Sequence, residues 1–183
     1  MRTKPGLGLT EEIDNLHVER VALKQNALDV TIARLPGVFG PNDYQRRVGS
    51  MIEALQDSGS EYRMYTTLAN FHWTWGYVHN IADMLIECAL DSRSGTRIYN
   101  LGYSETLSRM QMYQLVAETI GWNGQIVSSE QGTEVPTQDY DQQWSSDISK
   151  FLNDFDYTDR FSIEEAVRLT VEHIKAHVTS EYD

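Results

Sequence analysis

Leu28-Asp29-Val30-Thr31-Ile32-Ala33-Arg34-Leu35-Pro36-Gly37-Val38-Phe39-Gly40-Pro41-Asn42-Asp43 is the stretch from which the fold can be read. Leu28, Val30 and Ile32 alternate with Asp29, Thr31 and Ala33, the period of two that a strand shows. Pro36 then stops the strand, because it has no N–H for a ladder and its φ is fixed. Gly37 and Gly40 allow backbone angles that other residues resist. Pro41, Asn42 and Asp43 supply a turn and an N-cap, and the amphipathic run Tyr44–Gln56 predicts the next helix. A strand that ends in a tight crossing and a helix start is the arrangement at which open α/β sheets bind ligands.

Working outward, Thr10 caps a predicted helix to Asn26, with Glu11 and Glu12 in its positive first turn. Residues 1–9 carry Pro5, Gly6 and Gly8 without periodicity and read as a flexible lead-in. Gly6-Leu7-Gly8 follows no strand, and Glu11 stands at the third glycine position, so it is not a phosphate loop. Downstream, Glu61–Thr66 reads as a short strand, Thr67–Asn70 as a loop, and Asn80–Leu90 as a helix entered through an aromatic cluster, Phe71 to Tyr77. Thr96–Leu101 and Gln125–Ser129 read as strands, and Asp147–Phe155 as a short helix. Ser108-x-x-Gln111 and Ser162-x-x-Glu165 are capping boxes that open two further helices. The second helix has Ile163, Ala166, Val167, Thr170, Val171 and Ile174 on one face. Glu130–Asp141 is acidic and aperiodic, an expected exposed loop. Helices are expected to outnumber strands, with the Leu28–Leu35 strand at the centre of its sheet.

At 183 residues, 40% hydrophobic and 23% charged, the chain suits one globular domain over residues 10–183. Net charge is −12, from 27 acids against 15 bases, which argues against a nucleic-acid partner. No apolar run approaches the roughly 20 residues of a membrane span, and no signal peptide is visible, so no membrane partner is expected. Cys88 is the single cysteine, which excludes an internal disulfide and fits a cytoplasmic location. It is expected to be buried among Ile81, Met84 and Leu85. His173 and His177 are four residues apart, but no H-E-x-x-H or ligand cysteine accompanies them. They read as a solvated helix face, and no metal site is expected. No Gly-x-Ser-x-Gly elbow supports a hydrolase.

Arg34 to Pro41 resembles the R-x-x-N-V-Y-G-P segment of the extended short-chain dehydrogenase/reductases, the NAD-dependent epimerase/dehydratase family. FHWTWGYVHNIADMLIECAL, GTRIYNLG, TLSRMQMYQLVAETIG and SIEEAVRLTVEHI then resemble the family's later segments, in the family's order. The resemblance implies a partial Rossmann-like α/β fold lacking the N-terminal dinucleotide-binding half, with a small α/β C-terminal lobe. Residues 10–60 would be the remnant of the Rossmann-like sheet and helices, and residues 61–183 the substrate-side lobe.

The resemblance also names site positions. Pro36, Gly37 and Val38 match the segment beside the nicotinamide, Gly37 standing where the family has a substrate-touching asparagine. Trp75-Gly76-Tyr77-Val78-His79 matches R-D-Y-I-H, with Trp75 in place of the arginine that grips the substrate's phosphate. His72, Trp73, Trp75, Tyr77 and His79 are the substrate-binding candidates, suited to a sugar- or alcohol-like ring, or else to packing the core. The family's catalytic Tyr-x-x-x-Lys aligns with Glu11 and Asn15, and neither can do that proton work. No catalytic residue is therefore assigned. NAD or NADP is the cofactor that the resemblance implies, with weak or no binding expected for this chain alone. Two functional readings stay open: the substrate-side half of a split or truncated enzyme, and a non-catalytic binding or assembly module. A fragment of a longer protein is a third origin for such a chain. A strand with open edges and a first helix with widely spread apolar residues predict a homodimer or a missing-half partner chain.

Overall fold

The computed structural model describes residues 15–24, 28–131 and 143–178. The expected lead-in, the Thr10 cap and most of the acidic loop after Glu130 lie outside the described residues. The helix expected from Thr10 is described as α1, Asn15–Leu23.

The central stretch resolves into two strands. β1, Thr31–Arg34, is shorter than the expected Leu28–Leu35 and, among the described residues, pairs in parallel with β6, Arg97–Asn100, alone. It is therefore not central to a sheet. Beyond Pro36 the chain is not merely a turn: β2, Gly37–Phe39, pairs in parallel with β5, Trp75–Tyr77. The expected helix start moves as well. α2 spans Arg47–Asp57, because the Asp43 carboxylate accepts the N–H groups of Gln45 and Arg47 at 3.0 Å each and holds 44–46 in a turn. Asp43 is thus the capping side chain, three residues earlier than a simple N-cap.

β3, Glu61–Tyr65, runs straight into a one-turn helix, α3, Thr66–Ala69, where a loop was expected. β4, His72–Trp73, precedes β5, and α4 covers Val78–Leu90. β7, Leu107–Ser108, pairs antiparallel with β4 and leads into α5, Arg109–Ile120. Ser108 and Gln111 form the reciprocal capping box, and Gly121 ends the helix in the left-handed region at φ 73°. β8, Gln125–Ser129, returns in parallel to β3. α6, Ser149–Asp154, and α7, Ile163–Val178, complete the described chain, with Ser162 Oγ accepting the Glu165 N–H at 3.2 Å. Among the described residues eight strands outnumber seven helices, contrary to expectation, although no strand exceeds five residues.

Two apolar clusters hold this together. The larger joins α2, α5 and α7 to β3 and to Phe39, Trp75 and Tyr77. The smaller gathers Ile81, Met84 and Cys88 of α4 with Tyr99, Leu101 and Phe151. Cys88 is buried as expected, and that burial pushes its thiol pKa up, away from reactivity. No helix among the described residues is long and apolar enough to cross a membrane.

Candidate functional site

Pairing of β2 with β5 decides what surrounds the Pro36–Val38 turn. Gly37 donates its N–H to the Thr74 carbonyl at 3.0 Å and lies opposite Trp75. A Cβ at Gly37 would stand 3.2 Å from Trp73 Cε2 and 3.4 Å from Trp75 Cε3. Two indoles thus press on the backbone at the position where the resemblance implies a polar side chain. Gly76 is equally constrained, since a Cβ there would meet Ile81 and Pro36 at 2.7 Å.

Pro36 and Val38 project the other way. With Leu35, Phe39, Tyr44 and Arg47 they wall an open cleft of about 350 Å³ at the carboxyl end of β1. Its floor is apolar, and Arg47 on its rim is held by Asp43 at 2.9 Å. Gly37 does not line this cleft, and neither do His72, Trp73, Trp75, Tyr77 or His79.

Those five side chains lie along two aromatic groups that Phe39 joins, its ring 6.1 Å from that of Trp75 and 5.9 Å from that of Tyr77. Trp75 and Tyr77 are core residues, each 1% exposed. Trp73, half-buried, stands 5.2 Å from Trp75 and packs edge-on to Trp144 at 5.8 Å. Phe71 completes this group against Trp144 at 5.5 Å. His72 is half-buried beside it: its N–H donates to Gln143 Oε1 at 2.6 Å and its Nδ1 donates to the Asn70 carbonyl at 2.9 Å. In the second group Tyr77 meets Phe39, Phe161 and the exposed His79, with ring centres 5.9, 5.4 and 5.2 Å apart. The indole Nε1 of Trp75 is buried without a hydrogen-bond partner.

Trp144 and Phe161 were not among the sequence candidates. Nothing near them in sequence repeats or alternates, and only the bridge between Trp73 and Trp144 brings that indole to the cluster. Behind the second group lies a polar network. Asn80 donates to Asp159 Oδ1 at 3.1 Å and to the Phe161 carbonyl at 2.8 Å, while Tyr103 OH donates to the same carbonyl at 3.0 Å. Burial raises the Asp159 carboxyl above its ordinary range and lifts the phenols of Tyr77, Tyr103 and Tyr157. None of these phenols ionises near neutral pH, so they serve packing and hydrogen bonding rather than proton transfer. Among the described residues no group of three or more histidine, cysteine or carboxylate side chains is placed to hold a metal.

No protein-family model matches this sequence, and no curated protein matches it. Solved structures do match in fold. A UDP-glucose 4-epimerase from Thermotoga maritima, crystallised with UDP-glucose, superposes with a TM-score of 0.69 at 20% identity, covering 89% of this chain and 51% of that one. A dTDP-glucose 4,6-dehydratase from Bacillus anthracis in complex with NAD gives 0.66 at 17% identity, covering 88% and 50%. A Thermus thermophilus UDP-glucose 4-epimerase with NAD gives 0.65 at 21%, covering 87% and 51%. The fold is thus that of the C-terminal half of NAD-dependent epimerases and dehydratases, the extended short-chain dehydrogenase/reductase architecture. This chain spans about half the length of the enzymes it matches.

Proposed function

We propose that this chain is the substrate-side half of an NAD(P)-dependent epimerase/dehydratase-like protein, inactive alone, and that it works with a partner surface. The observation that carries this is the one-sidedness of β1. The Val30 and Arg34 carbonyls accept from Arg97 of β6 and from Leu101 just beyond it, so by strand alternation the backbone groups of the even positions face β6, and among the described residues no strand pairs with those of Thr31 and Ala33 on the other edge. Apolar side chains of α1 (Val18, Val21, Leu23) and α4 (Leu85, Ile86, Leu90) are exposed. Either a missing-half chain or a second copy of this one would cover them.

The residues present suit one end of a dinucleotide. Leu35, Pro36, Val38 and Phe39 offer an apolar wall to a nicotinamide ring, which would supply hydride chemistry when bound. The sequence has no Tyr-x-x-x-Lys and no glycine-rich loop between a strand and a helix to hold its phosphates. With the buried Trp75 at the arginine position no guanidinium is offered there to a diphosphate, and the half-buried His72 and Trp73 and the exposed His79 are the side chains left to meet a sugar- or alcohol-like ring.

Two measurements test this. Calorimetric titration with NAD and NADP is expected to show weak or no binding, and a micromolar dissociation constant would overturn the account of the phosphate site. Light scattering is expected to show a species larger than 21.0 kDa. A monodisperse monomer with no dye-accessible apolar surface would overturn the need for a partner.

A second reading, a non-catalytic binding or assembly module, is favoured by the indoles packed on Gly37. A neighbouring reading frame encoding a strand, G-x-x-G-x-x-G and a helix would favour the split enzyme; an isolated gene would favour the module.

A further inference from the structure

His173 and His177 lie one helical turn apart on α7, their ring centres 4.0 Å apart and their planes inclined by 33°. His177 Nδ1 stands 2.8 Å from the His173 carbonyl oxygen. A carbonyl only accepts, so Nδ1 carries the proton and the ring's lone pair sits on Nε2. A hydrogen bond of this kind is what presets an imidazole for a metal. The fold then adds a donor that the sequence keeps 131 positions away: Asn42 Oδ1, from the loop between β2 and α2, is 3.3 Å from His173 Nε2. Ligand atoms bound at about 2.0–2.1 Å in a tetrahedral shell are about 3.3–3.4 Å from one another. These two atoms, joined by a hydrogen bond, are thus near enough for one ion to take both. All three side chains line an open cleft of about 230 Å³, which has room for an ion and its waters. The guanidinium groups nearby are compensated, Arg47 by Asp43 and Arg46 by Glu53.

We propose that His173, His177 and Asn42 form a site for a divalent transition-metal ion, with two imidazole nitrogens, one amide oxygen and water completing the shell. Binding moves the His173 ring proton from Nε2 to Nδ1, by exchange with water, which keeps the imidazole neutral and exchanges the contact with Asn42 for two bonds to the ion. Imidazole donors favour copper, zinc and nickel, and the set holds no carboxylate for magnesium or calcium. A bound ion would tie the end of α7 to the loop that carries Gly40, Asn42 and Asp43. Those residues also wall the cleft beside Pro36 and Val38, so occupancy would stiffen the candidate ligand site.

The test is calorimetric titration of the metal-stripped full chain with copper, zinc, nickel and magnesium salts, with paramagnetic resonance of the copper form. One equivalent of copper should bind in the micromolar range, zinc and nickel more weakly, and magnesium not at all. His173→Gln and His177→Gln should each weaken copper by about tenfold or more and remove one nitrogen from the hyperfine pattern, Asn42→Ala less. His173 and His177 lie on or near the surface, so thermal unfolding of their glutamine variants without metal should be unchanged, whereas Asn42→Ala should lower the midpoint because Asn42 holds a left-handed backbone at φ 62°. Copper binding that survives both histidine substitutions, or that is no tighter than millimolar, overturns the site.

Discussion

Leu55 of α2 and Leu90 of α4 are the same side chain on two helices of similar length, one wholly buried and the other 75% exposed. The contrast extends to their surroundings. Around Leu55, the side chains of Met64, Met112, Val116, Ala166 and Val167 are sealed between α2, α5, α7 and β3. Around β1, Val18 is 61% exposed, Leu28 66% and Ile86 53%. α4 carries the contrast within itself, with Ile81, Met84 and Cys88 inward and Leu85, Ile86 and Leu90 outward. A helix that is apolar on two sides is written for two packing surfaces, and the described chain supplies one. Among the described residues one lobe closes its own core, while the β1 side leaves large apolar side chains exposed.

That contrast can be broken most directly by paired truncations. Leu55→Ala should cost about 2–5 kcal/mol in denaturant unfolding, from lost transfer energy and the cavity left behind. Leu90→Ser should stay within about 0.5 kcal/mol of the parent, because its side chain is already in water. If Leu90→Ser were as costly as Leu55→Ala, the outer face of α4 would already be packed and the two lobes would not differ.

A smaller effect is expected where the lobes meet. Gly37→Asn restores the side chain that the resemblance implies, but its Cβ meets the Trp73 ring at 3.2 Å. A loss of about 1–3 kcal/mol is expected, and Trp73→Ala in the same chain should recover part of it. An asparagine accepted without loss would mean that the indole yields, and that the position remains available to a ligand.

The smallest effects are electrostatic and of opposite sign at two carboxyls. Glu19, hydrogen-bonded to Arg34 at 2.7–2.8 Å, is held below its ordinary 4.5 mainly by that bond. Its contribution is therefore present above that value and is lost as pH falls through the folded pKa. Asp159 is raised above its ordinary 3.8 by burial, so stability falls as pH rises from 3.8 through its folded value. Glu19→Gln should remove the acid-side loss, worth no more than about 1 kcal/mol for so exposed a pair. Asp159→Asn should remove the opposite slope and raise stability at neutral pH. Urea midpoints measured from about pH 3 to pH 7 decide both, and profiles unchanged by either substitution would reject these assignments.

What was legible in the sequence is what neighbouring residues settle among themselves. The Ser108 capping box, the inward face of α7 and the burial of Cys88 depend on spacing within a few turns, and the structure has them as expected. The strand at Ile32 and the stop at Pro36 follow from alternation and from proline chemistry. The boundary of α2 did not, because Asp43 spends its carboxylate on a turn through Arg46, a left-handed residue at φ 50°. β2 and β5 escaped notice because three-residue strands carry too little alternation to read.

The sequence by itself determined the α/β class and the longer elements, which rest on local periodicity and punctuation, while its motif segments carry the likeness to half of an epimerase. Tertiary structure alone decided which side chains meet. It set Trp73 and Trp75 against Gly37, brought Trp144 to Trp73, and carried Asn42 across the fold to His173. Those contacts join residues tens of positions apart, chosen by strand pairing and helix packing, and no pattern within a short window encodes them. The sequence likewise shows that α4 is apolar, but only packing reveals which of its two apolar sides is already covered.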